Sequence, residues 1–171
     1  MDVDDQAALD AAERAADDAP WLTPAQQQEW RALVHLLATL PPALDAQLKR
    51  DAGLNFYEYQ VLGVLAMADD CTRGLSELAI LSAGSPSRLS HALTRLEKAG
   101  WVERRPGDFG RRMQARLTAA GQEMLDDVAP AHVREARRLV VDVLTPEQLT
   151  ALAEAARAIT AVTHEERPGR C

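Results

Sequence analysis

Ser85-Pro86-Ser87-Arg88-Leu89-Ser90-His91-Ala92-Leu93-Thr94-Arg95-Leu96-Glu97-Lys98-Ala99-Gly100-Trp101-Val102-Glu103-Arg104-Arg105 opens on a serine cap with proline at the first helical position and runs to a glycine stop. That punctuation predicts a helix ending at Ala99-Gly100. Within it Leu89, Ala92, Leu93 and Leu96 fall at i, i+3, i+4 and i+7, the buried stripe of an amphipathic helix. Ser87, Arg88, His91, Thr94, Arg95 and Lys98 then point largely outward. Such a face carries donors and positive charge, the side-chain types that reach guanine edges and phosphates in a major groove. The helix N-terminus, with Ser85, Ser87 and free amides, is itself a phosphate site. The competing reading is a solvated face with ordinary charges, and the flanking sequence decides between them.

After the glycine, Trp101–Arg105 reads as a strand, Pro106-Gly107-Asp108 as a turn and Arg112–Leu117 as a returning strand. Before the serine, Ser76 can cap a short helix carrying Leu78, Ala79 and Leu81, which ends near Gly84. Asn55-Phe56-Tyr57-Glu58 starts another helix, with Val61, Leu62, Val64 and Leu65 following. Further out, Thr23-Pro24-Ala25-Gln26 is a capping box with Trp30, Leu33, Val34, Leu37 and Leu40 behind it. Pro41-Pro42 should kink or break that helix, because each proline removes a donor and obstructs the preceding turn. Leu44 and Leu48 resume the spacing until Gly53. Thr118 opens a long helix to about Leu144, with a bend expected at Pro130, and Thr145-Pro146-Glu147-Gln148 caps a last one to about Thr163.

The expected class is therefore mainly α (α+β): a winged helix–turn–helix with a two-stranded wing, flanked by helices at both ends. The expected division is an acidic tail over 1–20, an N-terminal dimerisation helix over 21–54 kinked at 41–42, a winged module over 55–118, dimerisation helices over 119–164 and a frayed end over 165–171. The flanking helices hold more Leu, Val and Ala than one small module needs, and that surplus points to a homodimer.

Asn55–Leu62, Leu75-Ser76-Glu77-Leu78-Ala79 and Ser85–Arg104 resemble the MarR family of bacterial transcription regulators, and Leu117–Gly121 and Leu144–Leu149 extend the likeness over roughly residues 21–160. The resemblance implies a homodimeric repressor on a pseudo-palindromic double-stranded DNA operator. Its recognition helix would enter the major groove and its wing the minor groove, and a small ligand or oxidant would relieve repression. The wing departs from the family pattern of Asp-x-Arg: Asp108 lies three positions before Arg111, one place early. An arginine at the tip can enter a narrow, electronegative minor groove, and either Arg111 or Arg112 can fill that role. Arg105 and Asp108 complete the candidate DNA-contacting set. Arg95 is read equally well as a phosphate contact or as the partner of a nearby carboxylate. Trp30, His35, Tyr57 and Tyr59 lie on helices that wall an effector pocket in the family, which suits a small aromatic or phenolic ligand; as aromatic residues at helical spacing they also suit a core.

Composition sets the limits. The chain has 171 residues, 47% hydrophobic and 26% charged, enough for a core without disulfide or metal support. Its net charge of −7 hides an asymmetry: residues 71–118 hold nine Arg/Lys against four Asp/Glu, a local +5, which leaves −12 for the rest. Residues 1–20 alone carry −6 and lack the basic and apolar regions of a secretory signal, so a cytoplasmic location is expected. Cys71 and Cys171 form neither a disulfide framework nor a zinc set, and His35, His91, His132 and His164 show no metal-ligand spacing. No phosphate loop, nucleophile elbow or HExxH motif is present, so neither an enzyme nor a cofactor is expected. The remaining alternative is a helical dimeric interaction module that no longer binds DNA; the basic segment inside an acidic chain counts against it.

Overall fold

The computed structural model describes residues 21–107 and 112–165; residues 1–20, Asp108, Arg111 and Cys171 lie outside them. The chain divides into two compact units, Met1–Thr39 and Leu40–Cys171. Among the described residues six helices and three strands follow in the order α1 (Pro24–Ala52), α2 (Phe56–Ala66), β1 (Thr72–Gly74), α3 (Leu75–Leu81), α4 (Pro86–Lys98), β2 (Val102–Pro106), β3 (Met113–Leu117), α5 (Ala119–Ala136) and α6 (Pro146–Glu165). A π-type segment, Arg137–Val141, continues α5. The mainly helical winged helix–turn–helix expected from the sequence is the fold observed.

Local chemistry sets the helix starts. Thr23 and Gln26 cap α1 reciprocally, at 2.9 and 3.3 Å, and Thr145 and Gln148 do the same for α6. At α2 the Asn55 carboxamide accepts the Glu58 amide while the Glu58 carboxylate accepts the Asn55 amide, both at 2.9 Å. Such boxes satisfy amides that the helix leaves orphaned. Ser85 caps α4 by accepting the Arg88 amide at 3.1 Å, with Pro86 in the first helical position. Gly53, at φ +66°, returns its amide to Lys49 and ends α1 in the left-handed conformation that glycine adopts without strain.

Three expectations need correction. Of the kink or break expected at Pro41-Pro42, the break does not occur: α1 runs through both prolines, although each denies the preceding turn a hydrogen bond. Ser76 does not cap α3, whose cap is Gly74, two residues earlier, because the chain enters that helix directly from an extended segment. That segment is the third change. Thr72–Gly74 pairs antiparallel with β3, Thr72 opposite Arg116, so the sheet has the order β1-β3-β2 and three strands rather than two. On the other side β2 pairs with β3 from Val102↔Leu117 to Pro106↔Met113. Pro130 lies inside α5 without ending it.

The core of the second unit gathers residues from the end of α1, from α2 to α5 and from β2 and β3. Leu48, Leu62, Leu65, Leu78, Leu93 and Leu96 are fully buried, and Val102, Ala115 and Leu117 close it from the sheet. Burying each leucine contributes about 1.5–3 kcal/mol. The stripe read on α4 is the buried one: Leu89, Ala92, Leu93 and Leu96 are at most 5% exposed.

Candidate nucleic-acid interface

With that stripe anchored, α4 presents Ser87, Arg88, His91, Thr94, Arg95 and Lys98 to solvent, as their spacing predicts. The structure divides them into two groups. Ser87, His91, Thr94 and Lys98 stand opposite the buried stripe, whereas Arg88 and Arg95, seven residues apart, lie on the flank facing the first turn of α2. The Arg88 guanidinium rests over the Tyr57 ring, 4.1 Å from its centroid. Arg95 Nε comes within 2.9 Å of Glu58 Oε1, although the N–H is not aimed along the carboxylate lone pair. The carboxylate partner weighed for Arg95 therefore exists, and it is Glu58, itself 1% exposed. The Arg95 side chain stays 66% exposed, so its outer face remains open to a second anion.

At the N-terminus of α4 the amide supply is smaller than the sequence implies. Pro86 has no N–H and the Arg88 amide is taken by Ser85. Among the described residues no group claims the Ser87 amide, and the hydroxyl protons of Ser85 and Ser87 remain to donate.

The wing is fastened to α4 and to the added strand. Glu97 accepts the Arg104 backbone amide at 2.9 Å and its guanidinium through Nε at 2.8 Å and Nη2. The hydrogen bonds from the Arg104 guanidinium hold the Glu97 carboxyl below the ordinary carboxylate range. Arg105 donates to Thr72 Oγ1 at 3.2 Å, across to β1, and Arg116 pairs with Glu103. Arg112 is exposed at the start of the returning strand, where its carbonyl accepts the Gly107 amide at 2.7 Å. The choice between Arg111 and Arg112 at the tip involves a residue outside the described set.

A cleft of about 470 Å³ opens beside Arg88. Pro41 and Pro42 of α1, Phe56 and Tyr57 of α2, and Arg88 and His91 of α4 supply most of its wall, with Asp45 at its edge. The Asp45 carboxylate accepts from Lys49 and from the Phe56 amide, which lowers its pKa. Of the four residues read as effector-binding, Tyr57 lines this cleft. Tyr59 does not; it packs against His132, ring centroids 4.4 Å apart, and burial raises its pKa. Trp30 and His35 belong to the unit Met1–Thr39. Within the second unit, Tyr57 and Tyr59 are thus not brought together on one wall.

Sequence reasoning missed Glu58, Glu97, Arg104, Thr72 and Gly84 as parts of this site. Glu58 carried a usable signal, since a capping-box glutamate retains a second oxygen. α3 does end near Gly84, but the left-handed residue there is Ala83, at φ +52°. Gly84 is there for space, because a Cβ on it would stand 1.9 Å from the Tyr57 oxygen.

A helix–turn–helix with its second helix exposed and a hairpin tied to that helix's end is a winged-helix module. Neither a family model nor a curated protein matches the chain, but solved structures do. Sco3205, a MarR family transcriptional regulator from Streptomyces coelicolor solved in complex with DNA, is 41% identical over 82% of this chain and 92% of its own, with a TM-score of 0.79. AbsC, a MarR family transcriptional regulator of the same organism, is 34% identical over 86% of this chain and 100% of its own, with a TM-score of 0.81. A mutant of MarR from E. coli with operator DNA shares the fold at 20% identity, covering 75% of this chain and 91% of its own, with a TM-score of 0.65. The chain belongs to the MarR family of transcriptional regulators.

Among the described residues no helix is long and apolar enough to cross a membrane, and no group of three His, Cys, Asp or Glu could hold a metal ion.

Proposed function

We propose that the protein is a sequence-specific double-stranded DNA-binding regulator, acting as a homodimeric repressor on a pseudo-palindromic operator. The observation that carries this reading is the exposed face of α4: Ser87, His91, Thr94 and Lys98 are exposed opposite a buried stripe, with Arg88 and Arg95 beside them. Hydrogen-bonding and cationic side chains on one rigid helix are what base edges and phosphates require. Ser85, Arg105, Arg112 and the tip residues Asp108 and Arg111 complete the proposed contact set, with the wing on the minor groove. The DNA in the Sco3205 complex supports the same reading.

Self-association is supported by apolar surface that no described element covers. Trp30, Val34 and Leu37 recur at i, i+4 and i+7 on α1, and Leu152, Ile159 and Val162 line one side of α6; each is between 38% and 61% exposed. Two symmetric recognition helices would address half-sites ~10 bp apart, one turn of the duplex. The cleft beside Arg88 suits a small aromatic or phenolic effector, with Tyr57 and Phe56 as walls. Mobility-shift assays with the DNA upstream of the protein's own coding sequence test the reading, with light scattering to fix the stoichiometry. A retarded band that survives competitor DNA is expected from a dimer; a stable monomer at micromolar concentration, or no retention beyond that on scrambled DNA, refutes it.

A further inference from the structure

Tyr57 is 3% exposed, yet one face of its ring carries the Arg88 guanidinium. Three elements fix that ring. α2 carries it, and its phenol lies 3.1 Å from Ser82 Oγ at the end of α3. The Ser82 hydroxyl donates its proton to the Leu78 carbonyl at 2.6 Å, so the Tyr57 hydroxyl is the donor of the pair. The turn into α4 then closes on the ring, with Gly84 against the phenol so tightly that no side chain fits.

We propose that Tyr57 is the positioning residue of Arg88: a fixed aromatic platform that orients the guanidinium on α4 and so sets part of the sequence discrimination of the recognition helix. The inference rests on the DNA-binding reading above. Its physical basis is the difference between an aromatic and an acidic partner. A carboxylate would orient Arg88 and cancel its charge, as Glu97 does for Arg104. A π face orients the guanidinium and leaves the charge and the outward N–H donors unspent. Asp45 attracts Arg88 only from a distance, being bonded to Lys49 and the Phe56 amide. Among the described residues no carboxylate forms an ion pair with Arg88. An arginine already held has less side-chain freedom to lose when it meets the duplex.

The test uses the full-length chain, a duplex selected by it from a random-sequence library and a scrambled duplex of the same composition. Tyr57→Phe, Tyr57→Leu, Arg88→Ala and the Tyr57→Leu/Arg88→Ala double variant are compared. Tyr57→Met, long and apolar but without a π face, stands in should Tyr57→Leu not fold. In the free protein, NMR should show an upfield ring-current shift of the Arg88 side-chain protons in wild type and Tyr57→Phe and its loss in Tyr57→Leu. On DNA, Tyr57→Leu should lower affinity for the selected duplex about two- to fivefold per protomer, the size of one exposed cation–π contact, with little change on scrambled DNA. Tyr57→Phe should stay close to wild type, and Tyr57→Leu should have no further effect once Arg88 is alanine. Two results overturn the proposal itself: an Arg88 shift that survives Tyr57→Leu, or a loss of discrimination equal with and without Arg88. If Arg88→Ala leaves discrimination intact while the shift is present, it is the DNA reading of Arg88 that fails, and the positioning role falls with it. Selection that returns no preferred duplex refutes sequence-specific binding outright.

Discussion

Replacing Gly84 with alanine should destabilise the protein by about 2–4 kcal/mol, although Gly→Ala at an ordinary exposed turn tends to stabilise by restricting the unfolded chain. The new Cβ would stand 1.9 Å from the Tyr57 oxygen, 2.5 Å from Cζ and 2.8 Å from Cε2. Ordinary contact requires about 1.5 Å more at the oxygen than the gap allows. The ring has nowhere to go: it is 3% exposed, with Arg88 over one face and Ser82 on its hydroxyl. Overpacking of this kind costs about 1–3 kcal/mol, and breaking the Tyr57–Ser82 hydrogen bond adds about 1 kcal/mol. Urea unfolding at one fixed protein concentration measures the loss, since an associating protein's stability depends on concentration. Tyr57→Phe removes the nearest clashing atom, so the double variant should lose less than the sum of the singles. Recovery should be partial, because Cζ at 2.5 Å still collides. A loss below about 0.5 kcal/mol in Gly84→Ala, or strict additivity in the double variant, would refute the claim that close approach to Tyr57 is why glycine stands there.

Other perturbations follow from the same geometry. His132 donates from Nδ1 to the carboxamide oxygen of the buried Gln47 at 2.9 Å and packs at a tilt against Tyr59, and burial depresses its pKa against a weaker opposing pull from Glu135. The unfolded chain therefore takes up the proton first: stability should be full above about pH 6.5 and fall as pH drops through the folded-state pKa, and His132→Gln should flatten that slope in pH-dependent thermal melts. Glu97→Ala should cost about 1 kcal/mol, discounted for partial exposure, and should weaken DNA binding through a loosened wing. The lowered Glu97 pKa adds stability above the ordinary carboxylate range that is lost as pH falls through the depressed value; acid titration of Glu97→Gln should lack that step. Arg112→Gln should reduce the salt dependence of DNA binding by about 0.9 for each phosphate that the side chain no longer neutralises, twice over in a dimer, in affinities measured across several salt concentrations; an unchanged slope would remove Arg112 from the groups that touch the DNA backbone.

Much of the fold was legible because its signals are local. The boxes at Thr23/Gln26, Asn55/Glu58 and Thr145/Gln148, and the Ser85 cap, each need only residues three apart, and all form. The stripe on α4 needs only helical periodicity. What could not be read depends on a partner. Thr72-Arg73-Gly74 is too short to declare itself a strand; it becomes one because β3 offers it a free edge. Periodicity gave Arg88 and Arg95 their direction around α4 but not their neighbours, so Tyr57 and Glu58, contributed by α2, were invisible as their partners. Gly84 looked like a helix stop, since sequence does not distinguish a glycine chosen for its φ from one chosen for its missing Cβ.

The local excess of positive charge also resolves once the pairs are known. Arg73 lies near Glu77, Arg95 on Glu58, Arg104 on Glu97 and Arg116 near Glu103. Among the described residues of the basic segment this leaves Arg88, Lys98, Arg105 and Arg112 outside any ion pair. Two of these stand on α4 and two on the wing; Arg105 is half-buried on Thr72, and the other three are exposed. A solvated decorative face would scatter its unpaired cations without regard to the elements that bear them. Here the pairs brace the joints, α3 to β1, α4 to α2 and to β2, and β2 to β3, while the uncompensated charge is left on the two elements that a duplex would meet. On the proposed reading, the −12 carried by the rest of the chain would work against loose electrostatic attachment to a duplex, so that affinity would have to come from those few cations held in fixed geometry rather than from net charge.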